Sequence, residues 1–230
     1  LRKIKQSLLK ITNKIINIKD GLYKQDLNKS KILDNKFKAI VNSDLSLIDK
    51  IYWLIKDVKR YGTLPFAGVA RASFNAVQIL KSFVYENIIN DDEYNNFLNT
   101  LNTISKQLSK DINNLNKKEL KKIYGHLRPG TYDIISPRYD EFYDTYFRNK
   151  NNQNQSKKNL FKFSKTQKKK IKRLIIKNKL DTNFKELIIF IKESIEGREY
   201  IKFKFTNHLS QILKYIEELG KKFDIDKKEL

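Results

Sequence analysis

The sequence predicts an all-α protein, an irregular multi-helix bundle with a structured central loop. Three observations carry this expectation. Apolar residues recur at helical intervals of three and four through most of the 230 residues. Strand-like alternation is confined to Tyr200–Phe205, and all three prolines fall within two short segments, leaving the long periodic stretches uninterrupted.

The elements follow in order. Ile4, Leu8, Leu9, Ile11, Ile15, Ile16 and Ile18 place a first helix within 1–28. Ser43 is positioned to cap a second helix, whose apolar face runs from Leu45 to Val58 and which Tyr61-Gly62 should stop. Pro65 suits the first turn of a third, through Ala70, Phe74, Val77, Leu80 and Val84. Asn90 followed by Asp91, Asp92 and Glu93 reads as a cap and an acidic first turn, starting a helix that reaches Leu108. A short helix is expected over Lys117–Ile123, a loop over His126–Pro137, and a helix from Arg138 to Phe147. Three more are predicted over 165–179, 183–197 and 206–222, with Ser164, Thr182 or Asn183, and Thr206 as caps. The all-polar run 149–158 is the natural linker between an N-terminal helical region, residues 1–148 with their loop 124–141, and a C-terminal helical region, residues 159–230.

Composition narrows the function. Without cysteine there is no disulfide framework, thiolate metal site or cysteine nucleophile, and two histidines make a multi-histidine metal site a poor expectation. No metal site and no cofactor are expected on this chain. No apolar run approaches the roughly 20 residues of a membrane helix and no signal pattern opens the sequence, so a cytoplasmic protein without membrane contact is expected. The absence of methionine, and a start in mid-pattern at Leu1, point to a piece of a longer polypeptide.

The net charge of +22 invites a nucleic-acid reading. The cations are 40 lysines and only 8 arginines, beside 29 isoleucines and 23 asparagines, which A/T-rich codons explain. Charge concentrates in 151–180, with 11 basic residues and no acidic one. A lysine-rich helical module binding nucleic acid there is the alternative function. A solvated face is the plainer reading, and nucleic acid is not the expected partner.

Two segments depart from the lysine–asparagine–isoleucine background: Tyr61–Phe74 and Tyr124–Glu141 hold all three prolines and four of the seven glycines. The second is rich in groups that recognise a small polar ligand. Arg128 can fork a carboxylate or phosphate, Asp133 and Asp140 can accept from an ammonium, and Tyr132 and Tyr139 offer apolar faces with hydroxyl tips. Ser136 stands at a helix start where an anion could rest, and Arg138 adds a second cation. His126 is the candidate proton carrier, and Arg71 a ligand arm or a buried ion-pair member. Structural roles compete with each of these: Asp133 capping a turn, Arg138 pairing with Asp140, His126 held in the fold. No Walker-type loop and no GxGxxG occurs, so ATP binding is not expected here.

The run YGHLRPGTYDIISPRYDE (124–141), with YGTLPFAGVARASF (61–74) and REYIKFKFTNHLSQILKYIEELG (198–220), resembles the central region of phosphoenolpyruvate-synthase-like phosphotransferases, the group that includes rifampicin phosphotransferase. The resemblance spans roughly 45–225 and, within the group, runs to the L-glutamine kinases of capsule phosphoramidate biosynthesis. It implies a helical acceptor-binding domain flanked by an ATP-grasp domain, which would hold ATP and magnesium, and a phosphohistidine domain. It further implies transfer of a phosphoryl group from ATP to that histidine and then to the L-glutamine amide. Arg128 or Arg71 would then hold the acceptor carboxylate or phosphoryl oxygens, Asp133 or Asp140 the ammonium, and His126 would assist proton removal. On its own the chain should be inactive.

Overall fold

The computed structural model describes residues 2–147 and 161–230, and every regular element among them is helical. The chain forms two compact units, each drawn from three stretches of sequence. The first comprises Leu1–Asn28, Phe66–Thr103 and Ser156–Glu199, the second Lys29–Pro65, Ile104–Gln155 and Tyr200–Leu230. Both therefore use chain from either side of the 149–158 linker, which itself lies outside the described residues.

The first unit contains α1 (Arg2–Ile16), the start of α2 (Leu22–Val41), most of α4 (Leu64–Tyr85), α5 (Asp91–Leu98), α9 (Lys165–Lys177) and the first part of α10 (Phe184–Lys221). Ala72 and Ala76, one turn apart on α4, let neighbouring helices approach closely, and Leu80 and Phe83 continue the same buried face. Tyr23, Phe97, Ile171, Leu187 and Phe190 complete the core. Tyr23 meets the Phe190 edge at 5.2 Å and donates through its hydroxyl to Glu193 at 2.9 Å. Burying a side chain such as Ile171 contributes about 2 kcal/mol. Asn90 and Ser164 each form a reciprocal capping box, at α5 and α9.

The expected helix through Leu108 is instead two, α5 and α6 (Ile104–Asn114). The break is local: the Thr100 hydroxyl donates back to the Phe97 carbonyl at 2.7 Å, and Leu101 turns into the core.

The second unit contains the rest of α2, α3 (Leu47–Asp57), a π-helical turn (Val58–Thr63), α6, α7 (Lys117–Tyr124), α8 (Tyr143–Phe147) and the remainder of α10. Ser46 rather than Ser43 caps α3, accepting from the Asp49 amide at 3.2 Å, while the Ser43 hydroxyl donates to the Ile40 carbonyl. Tyr61-Gly62 does not stop the helix but lies inside the π-helical turn. Gly62 is needed there for space, since a Cβ would lie 2.8 Å from the Phe205 Cβ. One cluster packs Leu120, Tyr124, Tyr143 and Phe147 together. Elsewhere in this unit His208 is fully buried beside Phe37, with Nδ1 3.0 Å from the Lys204 carbonyl and Nε2 3.1 Å from that of Leu33.

The predicted helices 183–197 and 206–222, and the strand-like run between them, form the single helix α10. Ile201 and Phe205, four apart, are buried on one face, so the alternation at 200–205 coincides with a helical stripe. Asn183 caps it, its side chain accepting from the Glu186 amide at 3.0 Å. Thr206 lies mid-helix, its hydroxyl turned back on the Phe203 carbonyl.

Candidate functional site

The loop predicted over 126–137 is present and extends to Phe142, because α8 begins at Tyr143 rather than Arg138. It starts where α7 ends at Gly125 and folds back on itself through paired backbone bonds. The Tyr139 amide donates to Leu127 O at 2.9 Å and the Asp140 amide to Gly125 O at 3.2 Å. Gly125 is close-packed: a Cβ there would lie 2.8 Å from the Asp140 Cβ.

Arg128 lies buried within the loop and serves it. Its Nη1 donates to Ser136 O at 2.8 Å and to Ile134 O at 3.2 Å, while Nε donates to the Ser210 hydroxyl of α10 at 3.2 Å. Removal from water pulls its pKa below the usual guanidinium value, with Arg138 working in the same direction and Glu141 against it. The Ser136 hydroxyl accepts from the Gly130 amide at 3.0 Å, closing the same turn. Asp133 accepts from the Ile135 amide at 2.9 Å, the turn-capping role foreseen as its structural alternative.

Arg138 and Asp140 form a bidentate pair, Nε to Oδ1 at 2.9 Å and Nη2 to Oδ2 at 2.7 Å. The Asp140 backbone is held as well, its carbonyl accepting from Lys121 Nζ at 2.7 Å. Tyr139 stacks on Tyr146 at 4.5 Å and meets the Phe147 edge, so its ring is part of the α8 packing. Tyr132 stands out at 68% exposure, with Ile135 and Phe142 also exposed.

His126 is buried, with Nε2 3.2 Å from the Phe203 carbonyl and its ring 4.7 Å from the Phe203 ring. Burial pushes its pKa down to about 4, and Arg138 and Asp140 act on it in opposite directions. The ring is therefore neutral near pH 7. Since the carbonyl can only accept, Nε2 carries the hydrogen and Nδ1 is left as the basic nitrogen.

The structure thus brings His126, Arg128, Asp133, Ser136, Arg138, Tyr139 and Asp140 into one hydrogen-bonded loop. Arg71 is placed differently: it is exposed on α4, in the first unit, rather than hemmed in among its alanines. Ala72 and Ala76 face the core, whereas Arg71 and Ala67 are exposed and Ala70 is half-buried. The described portion of the lysine-rich stretch is mainly α9, where Ile171 and Ile175 are buried and Lys168, Lys169 and Lys170 are exposed.

One cluster of aromatic and charged residues lies outside the site the sequence predicts. Lys36, Tyr52, Trp53, Lys56, Asp57, Lys59, Arg60 and Tyr61 line a cavity of about 520 Å³ in the second unit. The signal was the interleaving of aromatic and basic residues over 52–61. Among the described residues no group of three His, Asp or Glu is placed to hold a metal ion, and no helix is long and apolar enough to cross a membrane. No family model, curated protein or solved structure matches the chain.

Proposed function

We propose that this chain is the acceptor-binding region of a cytoplasmic, ATP-dependent phosphotransferase that works through a phosphohistidine relay, with L-glutamine as acceptor. The resemblance of residues 61–74, 124–141 and 198–220 to that group gives the class, and the Arg138–Asp140 pair supports the acceptor. A guanidinium and a carboxylate held side by side complement the α-carboxylate and α-ammonium of a zwitterionic amino acid. Both side chains retain access to solvent, at 13% and 30%, while their backbone is fixed by Gly125, Lys121 and Glu141. Such a site is preorganised, and positioning is the main contribution an acceptor domain makes to phosphoryl transfer.

On this reading Arg138, whose Nε and Nη2 are engaged by Asp140, holds the carboxylate through its remaining donors at Nη1, and Asp140 takes the ammonium on its second lone pairs. Arg128, Asp133 and Ser136 build the loop without touching the acceptor. His126, a neutral imidazole within electrostatic reach of both Arg138 and Asp140, would assist removal of the amide proton. ATP, magnesium and the phosphohistidine belong to partner domains of the same polypeptide.

Calorimetric titration of the chain with L-glutamine tests this. Saturable binding is expected, weakened at least tenfold, about 1.4 kcal/mol, in Arg138→Met and in Asp140→Asn. N-acetyl-L-glutamine, which lacks the ammonium, should bind as poorly. Absence of glutamine binding at millimolar concentration, or equal binding of the acetylated analogue, overturns the assignment.

A further inference from the structure

The cavity in the second unit carries a separate inference, independent of the acceptor site. Its walls come from α2 (Lys36), α3 (Tyr52, Trp53, Lys56, Asp57) and the π-helical turn (Lys59, Arg60, Tyr61). Helical spacing shapes it: Tyr52, Lys56 and Lys59, like Trp53, Asp57 and Arg60, recur four and then three residues apart and so share one side of α3 and the turn that continues it. Gly62, seated against Phe205, fixes that turn in place.

The chemistry of the lining is specific. Four cations face one carboxylate, and that carboxylate, Asp57, is engaged by Lys36 at 3.7 Å. Among the described residues Lys56, Lys59 and Arg60 form no ion pair. The aromatic rings provide flat faces beside these charges. Trp53, the single tryptophan of the chain, is 50% exposed and meets Tyr52 edge-on at 5.3 Å. Tyr61 carries Lys36 at 5.4 Å and Arg60 at 5.5 Å over its ring, while Lys56 lies 5.3 Å from the centre of the Tyr52 ring. A half-exposed indole beside three uncompensated cations matches a ligand that joins a flat aromatic ring to a phosphate.

We propose that this cavity binds a nucleotide unit, with its base against Trp53 and Tyr52 and its phosphate among Lys56, Lys59 and Arg60. The unit comes either as a free mononucleotide or as one residue of a single strand. No glycine-rich phosphate loop is involved. Side-chain charge replaces backbone amides, so the site recognises phosphate through cations and the base through stacking.

Trp53 supplies its own readout, because no other tryptophan contributes to the emission. The full chain is titrated with adenosine monophosphate and with a short single-stranded oligouridylate, following Trp53 fluorescence. Saturable quenching by the mononucleotide identifies the free ligand. Saturation by the oligonucleotide alone, with affinity falling steeply as salt rises, identifies the strand. In either case Lys56→Gln/Arg60→Gln should weaken binding at least tenfold with an unchanged helical circular dichroism spectrum. Lys168→Gln/Lys169→Gln/Lys170→Gln, on α9, should leave it intact. Trp53→Leu, read by anisotropy of the labelled ligand, should weaken it tenfold or more. The assignment is overturned if neither ligand quenches, if inorganic phosphate competes as well as the nucleotide, or if the α9 variant loses as much affinity as the cavity variant.

Discussion

The imidazole of His126 is pinned to Phe203, with Nε2 3.2 Å from its carbonyl and the two rings 4.7 Å apart. Because burial holds the folded-state pKa near 4, below the ordinary histidine value of 6.5, the unfolded chain binds the extra proton first. The stability due to the neutral ring is complete above pH 6.5 and is lost as pH falls toward 4. Urea midpoints measured between pH 7 and pH 5 should therefore drop, with a slope of up to about 1.4 kcal/mol per pH unit for this histidine. His208, also displaced downward by burial, adds to the slope. In His126→Gln the slope should flatten, and an unchanged slope would remove His126 from the account.

Arg128 should prove a structural residue. Arg128→Met leaves two carbonyls and a hydroxyl without their donor, which costs roughly 2–4 kcal/mol. Arg128→Lys should recover little, since a single ammonium cannot replace donors separated as Nε and Nη1 are. Amide exchange over 130–139, compared between wild type and both variants, locates the effect.

Gly62→Ala places a methyl 2.8 Å from the Phe205 Cβ, an atom fixed to its own backbone. Overpacking of this kind costs roughly 1–3 kcal/mol, visible as a lower thermal midpoint. Since the same glycine seats the π-helical turn, Trp53 emission should shift in this variant before the chain unfolds.

The two serines ahead of α3 separate by substitution. Ser46→Ala removes the acceptor of the Asp49 amide and should cost about 1 kcal/mol. Ser43→Ala removes only a bond to the Ile40 carbonyl in the preceding turn and should cost less. Equal losses in paired denaturation curves would argue against the observed cap.

On α9, Ile171→Ala should cost roughly 2–5 kcal/mol, because the side chain is fully enclosed by the first unit's core. Neutralising Lys168, Lys169 and Lys170 together should leave the thermal midpoint within about a degree or two, as exposed charges contribute little to stability. Comparable losses from the two changes would contradict the outward placement of these lysines.

Helical class was legible because its periodicity is local. The caps Asn90, Ser164 and Asn183 were legible too, since each is defined by residues within one turn. What failed depended on distant partners. Ending a helix at residue 197 overlooked that Gly197 lies inside α10, where its missing side chain admits Leu27, whose Cδ2 would lie 2.9 Å from a Cβ there. Gly62 read as a stop and turned out to accommodate Phe205. Much of α2 was missed because its outer faces are lysine, asparagine and aspartate, although Tyr23, Leu33 and Phe37 mark a helical stripe. In the loop the special residues were found, but their roles hinge on geometry. Arg128 is turned inward by carbonyls of its own loop together with Ser210, 82 positions away, and that last partner is one no short-range pattern encodes.

That separation of 82 residues also bears on the order of assembly. The Arg128 bonds to Ile134 and Ser136 span six and eight positions and can form within the segment, whereas the bond to Ser210 closes a far longer loop of chain, and closing so long a span is slow compared with forming a helix. A chain cut short before residue 210 would keep the two local bonds and lose the one that ties the 126–142 segment to α10.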